Sequence, residues 1–118
     1  MAKTELEIRS KAFALQLIEL VERMPRAKAS EIIGRQLLRA GTSLGANYRE
    51  ANRAESRADF VHKVGIAVKE AAETEYWLEL INESRQLQTV GAEDMLKEAR
   101  ELLAILITIG KKAALSKS

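Results

Sequence analysis

Several residue types are scarce in this sequence, and each scarcity excludes a class of protein. Among 118 residues there is no cysteine, one proline, one histidine and five aromatic side chains. The absence of cysteine excludes a disulfide framework and thiol chemistry. A β-sandwich or barrel would normally contain more turn residues and more β-branched side chains. Abundant Ala, Leu, Glu, Lys and Arg instead favour helices, so the composition predicts an all-α protein.

Long hydrophobic runs are also missing. No apolar stretch approaches the ~20 residues that a membrane-spanning helix needs. The opening stretch, MAKTELEIRSKAF, is charged and amphipathic, and it lacks the pattern of a secretory signal peptide. We therefore expect a single cytoplasmic domain over residues 1–118, without membrane association.

Few groups are present that could form an enzyme site or a metal site. A di-iron site in a helical bundle needs paired Glu-x-x-His motifs, and His62 is the only histidine. No glycine-rich phosphate loop or nucleophile motif occurs. The carboxylates that crowd the third quarter are interpreted as structural: Glu70, Glu73, Glu75 and Glu79. The sequence predicts a protein with no enzymatic activity, no metal, no cofactor and no small-molecule substrate.

The charges are distributed unevenly, although the net charge is only +2. Residues 25–57 contain seven arginines and lysines against three glutamates, whereas residues 58–90 contain three basic and six acidic side chains. This asymmetry predicts contact between the two segments, contact between subunits, or a binding face.

Apolar residues recur at alternating intervals of three and four, which is the period of amphipathic helices. Pro25 closes the first helix, and Ser30 is the candidate cap of the second, with a start nearer Arg26 as the alternative. Ser56 with Asp59 predicts a capping-box start for the third. The expected helices cover roughly residues 4–24, 28–53, 57–87 and 92–113. Short connections between them predict an antiparallel up-down-up-down four-helix bundle. The third helix has the longest apolar series: Phe60, Val64, Ala67, Ala71, Thr74, Leu78 and Ile81.

The second predicted helix contains two glycines, Gly41 and Gly45, which are poor helix formers, in the stretch LLRAGTSLGANYREANR at residues 37–53. The apolar phase at 37, 41, 44, 48 and 51 passes through both, which favours one continuous helix over a turn at residues 40–42. Small residues on one stripe let another backbone approach closely. We predict an oligomer interface that includes Gly41, Gly45, Asn47 and Trp77. In that interface a buried Asn47 amide would fix the register and Trp77 would anchor the packing.

Four arginines share a face of the same helix, roughly opposite its apolar stripe: Arg35, Arg39, Arg49 and Arg53. The row could be a solvated face neutralised by Glu31 and Glu50, or it could pair with the acidic third helix of a neighbour. It could also follow the phosphates of a nucleic-acid strand. We take these arginines as the candidate nucleic-acid-binding residues.

Three stretches carry a resemblance to a known family: FALQLIELVERMP, QLLRAGTSLGANYREA and KEAAETEYWLELI. They resemble the 23S rRNA intervening-sequence protein family of bacteria, and the resemblance covers nearly the whole chain. It implies an antiparallel four-helix bundle that assembles as a homopentamer with a central channel, for which nucleic-acid binding is the usual proposal. A more distant resemblance leads to accessory proteins of diversity-generating retroelements, which are basic pentamers that bind a reverse transcriptase and RNA.

Taken together, these features predict a non-enzymatic oligomer that binds RNA through a basic helix face. At a net charge of +2 the chain is much less basic than the retroelement accessory proteins. The alternative is a structural or adaptor oligomer that contacts proteins, such as a reverse transcriptase, without binding nucleic acid.

Overall fold

The computed structural model describes residues 2–116, which form four helices. They are α1 (Lys3–Arg23), α2 (Lys28–Ala51), α3 (Arg57–Glu83) and α4 (Ala92–Leu115). No strand occurs in this part of the chain. The predicted all-α fold with four helices is confirmed. None of the helices in residues 2–116 has the length and apolar character that crossing a membrane requires.

One hydrophobic core draws side chains from all four helices. Its fully buried members include Leu17 in α1, Leu44 in α2, Leu78 in α3 and Leu102 in α4. The apolar series predicted for the third helix is buried except for Phe60, which is half-buried. Its one polar member, Thr74, satisfies its hydroxyl by donating to the backbone oxygen of Glu70 at 2.7 Å. The periodicity of three and four therefore identified the buried face of α3.

Local chemistry explains where α1 ends and where α3 begins. α1 ends at Arg23, two residues before Pro25, whose ring cannot continue a helix. The Ser56 hydroxyl accepts a hydrogen bond from the Asp59 backbone N–H at 3.1 Å, so the predicted cap of α3 is confirmed. The predicted cap at Ser30 is wrong, because α2 already begins at Lys28 and the Ser30 side chain is buried inside its first turn.

The turn after α3 is longer than predicted. α3 ends at Glu83 rather than at residue 87, and Leu87 lies in the core with 3% of its surface exposed. In a continued helix Leu87 would lie about 120° around the axis from Ile81 and so out of the core, since each residue adds about 100°. Ending the helix early allows the chain to bring Leu87 back. Gly91 then stands immediately before α4 with φ of 94°, a left-handed conformation that favours glycine.

α2 is one continuous helix that passes through both glycines, as predicted, and the alternative turn at residues 40–42 is excluded. It lies between α1 and α3. Near its end, Arg49 Nε lies 3.5 Å from Glu7 Oε1 of α1, while Glu50 Oε1 lies 3.6 Å from Lys63 Nζ of α3. The last turn of α2 is therefore level with the first turns of α1 and α3.

Candidate nucleic-acid interface

The four candidate arginines are all exposed, as the sequence predicted. Three of them lie on α2, and Arg53 follows in the turn, because α2 ends at Ala51 rather than at residue 53. The Arg53 guanidinium donates back to the Arg49 backbone oxygen at 3.2 Å, which satisfies a free carbonyl of the last helical turn. We call this row of four residues the arginine face.

Arg39 is engaged by two carboxylates of α3. Its Nη1 lies 3.3 Å from Glu70 Oε1, and its Nη2 donates to Glu73 Oε2. Glu73 also accepts a hydrogen bond from Trp77 Nε1 at 3.0 Å. That bond, together with Arg39, holds the pKa of the Glu73 carboxyl below its usual value. The acidic third helix does pair with the basic second helix, but it does so within one chain.

The remaining arginines of the face differ in their surroundings. Arg49 faces Glu7 of α1, whose other carboxylate oxygen accepts from the Asn52 amide at 2.8 Å. Among residues 2–116, Arg35 and Arg53 have no carboxylate within ion-pair distance. The arginine face thus contains two ion-paired guanidinium groups and two without an acidic partner.

The carboxylates of α3 have structural partners on both sides. Glu70 and Glu73 contact Arg39, while Arg100 of α4 reaches Glu75 at 2.8 Å and Glu79 at 3.0 Å. Residues 2–116 contain no group of three or more His, Cys, Asp or Glu side chains placed to hold a metal ion. His62 is exposed. The interpretation of these carboxylates as structural groups is supported by their arginine partners.

Close packing at the glycines of α2 comes from α1 of the same chain. A Cβ atom on Gly41 would overlap the Cδ1 atom of Leu17, and one on Gly45 would lie 3.1 Å from Ser10 Oγ. Gly41 is buried within the subunit, so this glycine is explained without an oligomer. An interface role for Gly41 or Gly45 stays a prediction.

The other two predicted interface residues are half-buried. Asn47 donates from Nδ2 to the Ser43 backbone oxygen at 2.9 Å, so its amide is partly satisfied within its own helix. Trp77 packs against the edge of the core and meets the Tyr76 ring edge-on, with 5.1 Å between ring centroids. Tyr76 itself is 52% exposed. A role for Asn47 or Trp77 in an assembly stays a prediction.

Sequence reasoning missed the partners of the arginines because they are distant along the chain. Arg39 and Glu70 are separated by 31 residues, and Arg9 meets Glu98 across 89 residues with two hydrogen bonds of 2.6 and 2.7 Å. The difference in charge between residues 25–57 and 58–90 was the available signal. It predicted contact between the segments as one of three outcomes, without saying which residues meet.

Comparison with known proteins gives a consistent result. The chain matches the family described as 23S rRNA-intervening sequence protein over residues 3–108. It also resembles a solved structure from Bacteroides thetaiotaomicron, a protein of unknown function from the S23 ribosomal protein family. The TM-score is 0.83 and the identity is 39%, covering 94% of this chain and 99% of the other. No curated protein gives a significant match.

Proposed function

Since this chain belongs to the 23S rRNA-intervening sequence protein family, we propose that it is a non-enzymatic homo-oligomer that binds RNA through the arginine face. The up-down-up-down, antiparallel order of its helices is part of this proposal, and the pairing of helix ends supports it. Neither the description of the matched family nor that of the similar structure names a catalytic activity. The number of subunits, five, comes from the resemblance alone.

The observation that carries the proposal is the exposure of all four arginines, which follow one another along α2 and the turn after it. Arg35 and Arg49 are 14 residues apart, which corresponds to ~21 Å along a helix. Successive phosphates of a single strand can follow such a row, and guanidinium groups bind phosphate oxygens with two parallel hydrogen bonds. Nothing in the row reads base edges, so binding should tolerate many sequences.

The ion pairs of Arg39 and Arg49 weaken the binding of phosphate by these two arginines but do not prevent it. The side chains of Arg39 and Arg49 are about half exposed, at 46% and 49% of their surface. Exposed ion pairs contribute little stability, because water and salt compete for both charges. A phosphate can therefore replace the carboxylate partner, although the exchange reduces the net gain. Arg35 and Arg53 need no such exchange.

Exposed apolar residues support assembly. Ile8, Leu15 and Ile18 lie along the outer side of α1 and remain 65%, 54% and 46% exposed. Their spacing of seven and three residues places them on one face of the helix. Contiguous apolar surface on a subunit is typical of protein contacts. In a cyclic oligomer the arginine face would be repeated around the ring, which multiplies weak contacts through effective concentration.

The adaptor role is the second candidate, and one observation favours it. Arg39 is held by two carboxylates of its own subunit, as expected for a face that stabilises the fold rather than binds a ligand. An oligomer with such a neutralised face would act through protein contacts alone, for example with a nucleic-acid-processing enzyme.

The two candidates are separated by measuring RNA affinity as a function of salt. We expect oligouridine to bind the wild-type protein with an affinity that falls steeply with salt. Replacing Arg35, Arg39, Arg49 and Arg53 by Gln should weaken binding and reduce the slope of log affinity against log salt by roughly 0.7 for each lost contact. Light scattering should show an unchanged oligomer.

The matched control removes four exposed cations elsewhere: Arg26, Lys69, Arg85 and Lys97, each replaced by Gln. This control changes the net charge equally and should alter the slope much less. Wild-type protein that binds no RNA at low salt would contradict RNA binding and favour the adaptor role. Equal losses in both variants would show that net charge, rather than the arginine face, governs binding.

A further inference from the structure

One end of the bundle gathers exposed cations, most of which lie outside the arginine face. Contacts of Arg49 with Glu7, of Glu50 with Lys63 and of Arg57 with Ser116 bring together at this end the starts of α1 and α3 and the ends of α2 and α4. Arg57, the first residue of α3, donates to the backbone oxygen of Ser116 just beyond α4. Lys3 and Arg57 line one shallow cleft together with Phe60, Ala113 and Ser116. The termini of three helices are thus brought together around two cations.

Five exposed cations belong to this end and have no carboxylate within ion-pair distance among residues 2–116. We call them the cationic end: Lys3, Arg53, Arg57, Lys111 and Lys112. Lys111 lies five residues before Ser116, or ~7.5 Å along the helix. Lys111 and Lys112 therefore lie within the last two turns of α4, while Lys3 and Arg57 begin α1 and α3 and Arg53 lies in the turn between α2 and α3.

The carboxylates nearby are fewer and mostly engaged. Glu7 contacts Arg49 and Asn52, while Glu50 and Asp59 lie 3.6 and 3.9 Å from Lys63. Glu5 and Glu55 are the exposed carboxylates of this end that have no cationic partner among the described residues. Five cations without an acidic partner thus stand against two such carboxylates, which leaves a positive surface.

The opposite end of the bundle has no comparable excess. It exposes four cations, Arg23, Arg26, Lys28 and Arg85. It also exposes five carboxylates: Glu22, Glu31, Glu83, Glu93 and Asp94. Its charges nearly cancel, so a polyanion is attracted to only one end of the molecule.

We propose that the backbone of single-stranded RNA docks on the cationic end and continues onto the arginine face through Arg53, which belongs to both. This inference rests on the proposed RNA-binding function and names where the strand makes its first contacts. Cations without a carboxylate partner bind phosphate without giving up an ion pair, unlike Arg39 and Arg49. In a ring whose axis is parallel to the bundle, every cationic end would lie on the same side of the ring.

The test compares two triple variants with the same loss of charge. The end variant replaces Arg57, Lys111 and Lys112 by Gln. The control replaces Arg26, Lys28 and Arg85 by Gln at the opposite end. Oligouridine carrying a fluorescent label is titrated with each full-length protein at several salt concentrations. The end variant should reduce the slope of log affinity against log salt by about 2, at roughly 0.7 for each of three contacts. The control should leave the slope close to that of wild type.

A narrower variant covers the case in which replacing Arg57 disturbs the contact with Ser116. The double substitution Lys111→Gln with Lys112→Gln touches exposed side chains that contact no carboxylate among residues 2–116, and it should still reduce the slope by about 1.4. Equal effects of the end and control variants would overturn the cationic end as the docking surface while leaving RNA binding intact. A wild-type protein without RNA affinity at low salt would instead overturn the proposed function together with this inference.

Discussion

Gly41 and Gly65 both lie inside helices, yet their surroundings are opposite. Gly41 of α2 is buried, and a Cβ there would overlap Leu17 Cδ1 and lie 3.7 Å from Phe13 Cε2. Gly65 of α3 is exposed, and a Cβ there would meet nothing within 4 Å. A helical glycine costs about 1 kcal/mol relative to alanine at either place. Only at Gly41 does packing inside the subunit offset that cost.

Glycines of α2 pack closely against α1 at two further places along the contact between these helices. A Cβ on Gly34 would lie 3.1 Å from Val21 Cγ1, and one on Gly45 would lie 3.1 Å from Ser10 Oγ. Both distances are shorter than ordinary van der Waals contact. Three glycines of α2 therefore face α1, and they let it approach more closely than a helix of larger side chains would.

The largest effect is expected where a side chain fills the space above Gly41. Leu17 has no exposed surface, and Leu17→Ala should destabilise the fold by about 2–5 kcal/mol through lost burial and a residual cavity. Gly41→Ala alone should destabilise by about 1 kcal/mol, because overpacking outweighs the gain in helix propensity. In the Leu17→Ala background the overlapping group is gone, and Gly41→Ala should instead stabilise.

Chemical denaturation of the four proteins, which form a double-mutant cycle, measures this coupling. We expect Gly41→Ala to lower the free energy of unfolding in the wild-type protein and to raise it in the Leu17→Ala background, because the shortened side chain leaves room for the added methyl group. Additive free energies of unfolding would mean that Leu17 does not limit the space above Gly41.

A smaller effect of opposite sign is expected at Gly65. Gly65→Ala should raise the free energy of unfolding by about 1 kcal/mol, because alanine is the better helix former and no atom obstructs its methyl group. Gly41→Ala is the matched control, since it makes the same chemical change in a packed helix. A loss of stability at Gly65, or dissociation of an oligomer with the helix content intact, would show that a second chain packs there.

The two glycines also show how far the sequence could predict the structure. Apolar periodicity identified the continuous α2 and the buried series of α3, because burial repeats along each helix. It could not say which neighbour closes on Gly41, since that depends on which helices become adjacent. The same limit explains Arg39, whose exposure was predicted but whose partners Glu70 and Glu73 were not. The end of α3 was misplaced because Leu87 reaches the core from a turn, which has no period.

The smallest predicted effect concerns Glu73, on the same helix as Gly65. The hydrogen bond from Trp77 and the charge of Arg39 lower the pKa of the Glu73 carboxyl in the folded protein. A carboxyl with a lowered folded pKa stabilises the fold above its unfolded pKa of about 4.5, and this contribution is lost as the pH falls through the folded value.

Trp77 is the only tryptophan, so its fluorescence reports its hydrogen bond to Glu73 directly. We expect a fluorescence transition below about pH 4.5 in the wild-type protein and none in Glu73→Gln. Glu70→Gln serves as the control, because Glu70 contacts Arg39 without bonding to Trp77, and it should retain the transition. An identical transition in Glu73→Gln would mean that the fluorescence reports acid unfolding of α3 rather than protonation of Glu73. The contacts of Glu73 with Trp77 and Arg39 would then contribute little to the stability of α3.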